Sequence, residues 1–109
     1  MFDVYQSDRT KKFHFRLKAA NAEIILTGQS YKTKADCLGG VASVKKNAVD
    51  TGNFEISEAS DGRGYFTLKA GNGQVIGQSQ MYKSSSGLKK GVASVQENAP
   101  DSEVKDLTV

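Results

Sequence analysis

Tryptophan is absent, and cysteine, proline and histidine occur once each in these 109 residues. Each scarcity excludes something. A single cysteine, Cys37, cannot form an internal disulfide, so the chain is not a stapled extracellular scaffold, and a reducing compartment, the cytoplasm, is expected. One histidine, His14, with no clustered carboxylates beside it in sequence, gives no metal-ligand spacing and no paired acid and base. No apolar run approaches the roughly 18–20 residues of a membrane span. The start, MFDVYQSDR, lacks the basic-then-apolar order of a signal peptide, so neither export nor membrane insertion is expected. Low charge is not among the deficits: a quarter of the residues are charged and 38% are apolar, the balance of a folded domain. The net charge of +3 is divided unevenly. Residues 1–52 hold nine basic and five acidic side chains, residues 53–109 six and seven, which could draw an anionic partner to the first half.

What the chain does have is an internal repeat. A shift of 51 positions lays FRLKAANAEIILTGQSYK over FTLKAGNGQVIGQSQMYK and GGVASVKKNAVD over KGVASVQENAPD, and 17 of 37 positions from His14 to Asp50 are identical. The repeats run over about 2–50 and 54–101, with a closing strand at about 103–109. At this length neither copy can bury its apolar face alone, so a single domain with one shared core is expected.

Each copy opens with a short alternating strand, Phe2–Tyr5 or Phe54–Ser57, followed by a turn, SDRTKK or SDGRG. A second strand places Phe13, Phe15, Leu17 and Ala19 on one face, or Phe66, Leu68 and Ala70. Asn72-Gly73 is a strong two-residue hairpin signal. Repeat 1 has Asn21-Ala22 there, and alanine tolerates positive φ poorly, so this turn should be strained or rearranged. The period then becomes helical: Cys37, Val41, Val44 and Ala48, or Leu88, Val92, Val95 and Ala99, form one stripe behind the N-caps Thr33 and Ser84. Gly40 and Gly91 sit mid-helix in both copies at a cost of roughly 1 kcal/mol each, which predicts close approach of the helices to their neighbours. The expectation is an α+β domain with pseudo-twofold symmetry, one mainly antiparallel sheet and two helices on one face.

With two-residue turns, Lys18 pairs with Ile25 and Lys69 with Ile76, so both isoleucines point away from the helices. The open face then carries Tyr5, His14, Arg16, Lys18, Ile25 and Thr27, with Tyr65, Thr67, Lys69, Ile76 and Gln78. Such a mixture can stack bases and hold phosphates, or pack against a protein. It is equally what an ordinary solvated sheet face looks like. A non-catalytic binding module is expected, for a polyanion or nucleic acid. Arg16, Lys18 and Lys69 would supply charge, and Tyr5, His14 and Tyr65 flat contacts. A protein-partner or self-association surface centred on Ile25 and Ile76 is the alternative, and an enzyme with an assembled site comes third. Cys37 lies on the apolar stripe, where packing is its expected role, and Tyr31-Lys32 and Tyr82-Lys83 read as a packed ring beside a solvated cation. No cofactor, metal or membrane partner is implied, and a monomer containing an internal pseudo-dimer is expected.

The arrangement F-x-L-K-A-x-N-(A/G)-x-(I/V)-I, then Q-x-Y-K-(T/S), then G-V-A-S-V-x-x-N-A, present twice, resembles the duplicated members of the YegP-like family of small bacterial proteins. The resemblance implies tandem β(3)-α-β repeats forming one sheet, with C-terminal strands exchanged between repeats. Ala22 departs from the family's Asn-Gly turn. The resemblance implies no substrate, cofactor or catalytic residue.

Overall fold

The computed structural model describes residues 1–108. Its elements are β1 (Phe2–Gln6), β2 (Phe13–Lys18), β3 (Ile24–Gly28), α1 (Lys34–Asn47), β4 (Phe54–Glu58), β5 (Gly64–Lys69), β6 (Val75–Gln78), α2 (Ser85–Asn98) and β7 (Val104–Asp106), with a 3-10 turn at Thr51–Asn53 before β4. The expected β-β-β-α unit is present twice. Val109, the end of the expected closing strand, lies outside the described residues.

Seven strands form one sheet in the order β4-β5-β6-β3-β2-β1-β7. Every pairing is antiparallel except that of β7 with β1. The repeats join at the centre through β3 and β6, where Thr27 pairs with Gln78 and Gly28 with Gly77. β7 follows the helix of repeat 2 and pairs with the first strand of repeat 1, which is the strand exchange. The strand following α1 is β4, the first strand of repeat 2.

Alternation explains which face is buried. Phe2, Val4, Phe15 and Leu17 point to the helices and are fully buried, as are Phe66 and Leu68. The helix stripes meet them: Cys37, Val41, Val44 and Ala48 from α1, and Leu88, Val92, Val95 and Ala99 from α2. Thr33 Oγ1 accepts the Asp36 N–H (3.1 Å) and Ser84 Oγ the Gly87 N–H (3.0 Å), the two expected caps. Each helix also reaches strands of the other repeat, α1 touching β5 and β6 and α2 touching β3. The core is therefore one body.

The mid-helix glycines make the close approach that their cost demands. A Cβ on Gly40 would lie 2.8 Å from Tyr31 Cζ, and one on Gly91 2.7 Å from Tyr82 Cζ. Those rings are stacked on Phe15 and Phe66 at 6.1 and 6.2 Å between centroids, so Tyr31 and Tyr82 fill the space between helix and sheet.

The β2–β3 and β5–β6 turns correct the two-residue expectation. Ala19 N–H bonds Glu23 C=O and Ala22 N–H bonds Ala19 C=O, with the same pattern at Ala70, Gly73 and Gln74. Each turn thus has three residues, and only its last has positive φ, Ala22 at 68° and Gly73 at 83°. Asn21 and Asn72 accept the N–H of Glu23 and Gln74, both at 3.0 Å, which fixes the turn. The extra residue is absorbed by a bulge. Leu17 still pairs with Leu26 and Leu68 with Gly77, but Lys18 pairs with Ile24 and Lys69 with Val75.

Candidate functional site

That bulge moves two of the expected site residues. Ile25 and Ile76 are the unpaired extra residues, turned into the core at 4% and 7% exposure. Ile25 borders a cavity with Gly87, Gly91 and Ser94 of α2, on the helix side of the sheet. Neither isoleucine can anchor a partner on the open face. The aliphatic residues beside Lys18 and Lys69 are instead Ile24 and Val75.

The other six expected residues lie on the open face in two clusters, one per repeat. In repeat 1, Tyr5 pairs across the strands with His14 and Asp3 with Arg16. The Tyr5 and His14 rings stack at 5.4 Å with 18° between planes, and the Arg16 guanidinium sits 4.9 Å from the Tyr5 centroid. Asp3 is the residue that organises this cluster. Its carboxylate, 4% exposed, takes Arg16 Nε at 3.2 Å and Lys18 Nζ at 2.9 Å. Burial alone would favour the neutral acid, but hydrogen bonds and charge from Lys18 and Arg16 outweigh it and hold Asp3 below its ordinary value of 3.8. Lys105 of β7 falls beside Asp3 in the parallel register.

Asp3, Arg16, Lys18 and Lys105 border a cleft of about 510 Å³ whose apolar wall includes Ala19 and Leu107. Three cations, two of them on the Asp3 carboxylate, leave the cleft cationic. Arg16 engages Asp3 only through Nε among the described residues, so its two Nη groups are available to an acceptor on a ligand.

In repeat 2 the same positions are plainer. Lys69 is paired with Glu55 on the neighbouring strand, and Tyr65 lies opposite Ser57 rather than another ring. The structure thus brings Tyr5, His14, Arg16 and Lys18 together and leaves Tyr65 and Lys69 at the far side of the sheet. Asp3 was legible by parity, since it shares a face with Tyr5 in FDVY. Lys105 was not, because its place depends on how β7 pairs.

Cys37 is fully buried, and burial, with the nearby Asp106 charge, pushes its thiol up to about 11. Asp106 itself is drawn down to about 2 by hydrogen bonds from Lys34 and Thr108. Among the described residues no three His, Cys, Asp or Glu side chains gather as metal ligands would, and no helix is long and apolar enough to cross a membrane.

With this geometry in hand, comparison with known proteins gives one consistent answer. A family described as a domain of unknown function (DUF1508) matches twice, over residues 8–55 and 59–106. UPF0339 protein PA0329 of Pseudomonas aeruginosa is 50% identical over 95 residues, 87% of this chain and 86% of that one. UPF0339 protein PM0519 of Pasteurella multocida is 48% identical over 97 residues, 89% of this chain and 85% of that one. Among solved structures, the solution structure of yegP from E. coli, a protein of unknown function, superposes with a TM-score of 0.91 at 42% identity, covering 98% of this chain and 91% of that one. UPF0339 protein SO3888 of Shewanella oneidensis gives the same TM-score at 38% identity, covering 98% and 90%. The duplicated sheet, its strand order and its sequence all lead to the same place: the chain belongs to the DUF1508 family, of which it carries two copies, and its UPF0339 relatives have no assigned function.

Proposed function

We propose that this protein is a non-catalytic binding module that recognises a polyanion, single-stranded nucleic acid in the first instance, on the repeat 1 half of its open sheet face. The observation that carries the reading is the cluster around Asp3. It fixes Arg16 and Lys18 in place, sets Arg16 over a Tyr5–His14 stack, and opens onto a cationic cleft that Lys105 also lines. A guanidinium held in place before binding loses less freedom when it meets a phosphate. Flat rings beside it offer the stacking surface that bases use. The module acts as a monomer in the cytoplasm, a setting supported by the free thiol of Cys37.

Titration of isotope-labelled protein with single-stranded DNA and RNA oligonucleotides across a salt series tests this. Amide shifts are expected at Tyr5, His14, Arg16, Lys18 and Lys105, with affinity falling steeply as salt rises. Shifts confined to repeat 2, or binding indifferent to salt, would show the reading to be wrong.

A further inference from the structure

The two edges of the sheet differ: β1 is covered by β7, whereas the outer side of β4, away from the cleft around Asp3, is not. We propose that the outer edge of β4, with the groove beneath it, docks an extended peptide strand laid parallel to β4, with an acidic residue beside Ile56 as Asp106 lies beside Val4. The chain carries its own template for this complex.

On repeat 1, β7 lies parallel to β1 with Phe2 beside Val104, Asp3 beside Lys105 and Val4 beside Asp106. Phe2 N–H donates to Glu103 C=O (2.9 Å) and Leu107 N–H to Val4 C=O (2.8 Å), while the Asp106 carboxylate turns to the start of α1 and takes Lys34 Nζ at 2.6 Å. β4 stands in the same register to its inner neighbour. Phe54 pairs with Leu68 as Phe2 does with Leu17, and Ile56 with Phe66 as Val4 does with Phe15. Yet among the described residues β4 has a neighbour on one side only. Val4 is 0% exposed under β7, whereas its counterpart Ile56 is 57% exposed.

The chain cannot cover this edge with the strand that follows α1, because that strand is β4 itself. Thr51 C=O accepts the Phe54 N–H, as Glu103 C=O accepts that of Phe2, but the backbone then turns through Thr51–Asn53 into β4 instead of running alongside it. The register that aims the Val4 carbonyl at Leu107 aims the Ile56 carbonyl outward. A row of free backbone groups next to an exposed aliphatic side chain is what strand addition uses.

Beneath this edge is a groove of about 370 Å³ lined by Ile56, Ser57, Tyr82, Lys83, Ser85 and Leu88. In repeat 1 the matching positions are Val4, Tyr5, Tyr31, Lys32, Lys34 and Cys37, of which Val4, Lys34 and Cys37 adjoin Asp106; Ser85 stands where Lys34 does, so Lys83 is the cation left to meet an acid in this groove. The acidic preference follows from charge. The first turn of α2 has no carboxylate, whereas α1 carries Asp36 there, and Lys83 lies in the groove. Glu58 also lines the groove and disfavours a second acid beside it. It also argues against a second copy as the occupant, since pairing β4 with β4 would gather Glu55 and Glu58 of both chains on one short ladder.

The test uses the synthetic peptide SEVKDLT, the sequence of residues 102–108, titrated into isotope-labelled full-length protein. Shifts are expected at Ile56, Ser57, Lys83 and Ser85 but not along β1, whose edge is occupied. A peptide with Asp106→Lys should bind about tenfold more weakly, the loss of one carboxylate beside a helix N-terminus and a Lys. Ile56→Glu in the protein should remove binding, with its unperturbed β5 and α2 resonances showing that the fold is kept. Absence of shifts at millimolar peptide, shifts only where β7 meets β1, equal binding of both peptides, or association of the protein with itself through β4 would each overturn the proposal.

Discussion

Repeat 1 and repeat 2 share a core and differ at their edges. The pairs Phe15/Phe66, Leu17/Leu68, Val44/Val95 and Ala48/Ala99 are buried alike in both halves. Away from the core the halves diverge: Asp3 is a buried carboxylate holding two cations, while Glu55 at the matching position is an exposed partner of one. β1 is covered by β7 and β4 is bare. Duplication therefore accounts for most of the residues that pack, while the two outer edges of the sheet are where the copies differ in partners and in cover.

The largest expected effect sharpens the carboxylate contrast. Asp3→Asn should destabilise the fold at neutral pH by about 1.5–3 kcal/mol, the range for hydrogen bonds to charged groups, whereas Glu55→Gln should cost under about 1 kcal/mol as an exposed pair. Denaturant unfolding of both variants checks this. Because the Asp3 carboxyl is held below 3.8 in the folded state, its contribution is complete above that value and disappears as pH falls through the lower folded value. The gap between wild type and Asp3→Asn should thus close in acid. Equal losses for the two variants would erase the distinction between the halves.

A slightly smaller effect tests where the halves should agree. Gly40→Ala and Gly91→Ala should each destabilise by about 1–3 kcal/mol, because the new methyl group meets a tyrosine ring already stacked on phenylalanine. Gly39→Ala, next door with open space around it, should stabilise by up to about 1 kcal/mol. Thermal unfolding separates these in sign. The smallest effect lies in the turns. Ala22→Gly should raise stability by about 0.5–1 kcal/mol by relieving a positive φ that Gly73 already accommodates, with a matching rise in denaturation midpoint.

Most of the fold was legible because it rests on periodicity. Alternation placed Phe15 and Leu17 inward, the helical stripe placed Val41 and Val44, and Thr33 and Ser84 announced the helix starts. The site was harder to read. A two-residue turn would put Ile25 and Ile76 on the open face, yet the turn holds three residues, and one added residue sends a side chain to the other face. Asn-Gly fits either turn, so composition there could not separate them. Parity puts Tyr5, His14, Arg16 and Lys18 on one face, but the fixing of Arg16 and Lys18 depends on Asp3. Lys105 and the bare edge of β4 arise from pairing between distant strands, and local pattern carries no record of such pairing.

Where the repeats meet, a Cβ on Gly77 would come within 2.7 Å of Leu26 Cδ2, although Leu26 and Gly77 are counterparts in the two copies. The Leu26 side chain of repeat 1 occupies the space that a side chain at position 77 would enter. A chain built from two first repeats would force two leucines into that volume, and one built from two second repeats would leave it empty. At this one place the halves are complementary rather than equivalent, the side chain of one standing where the other has none.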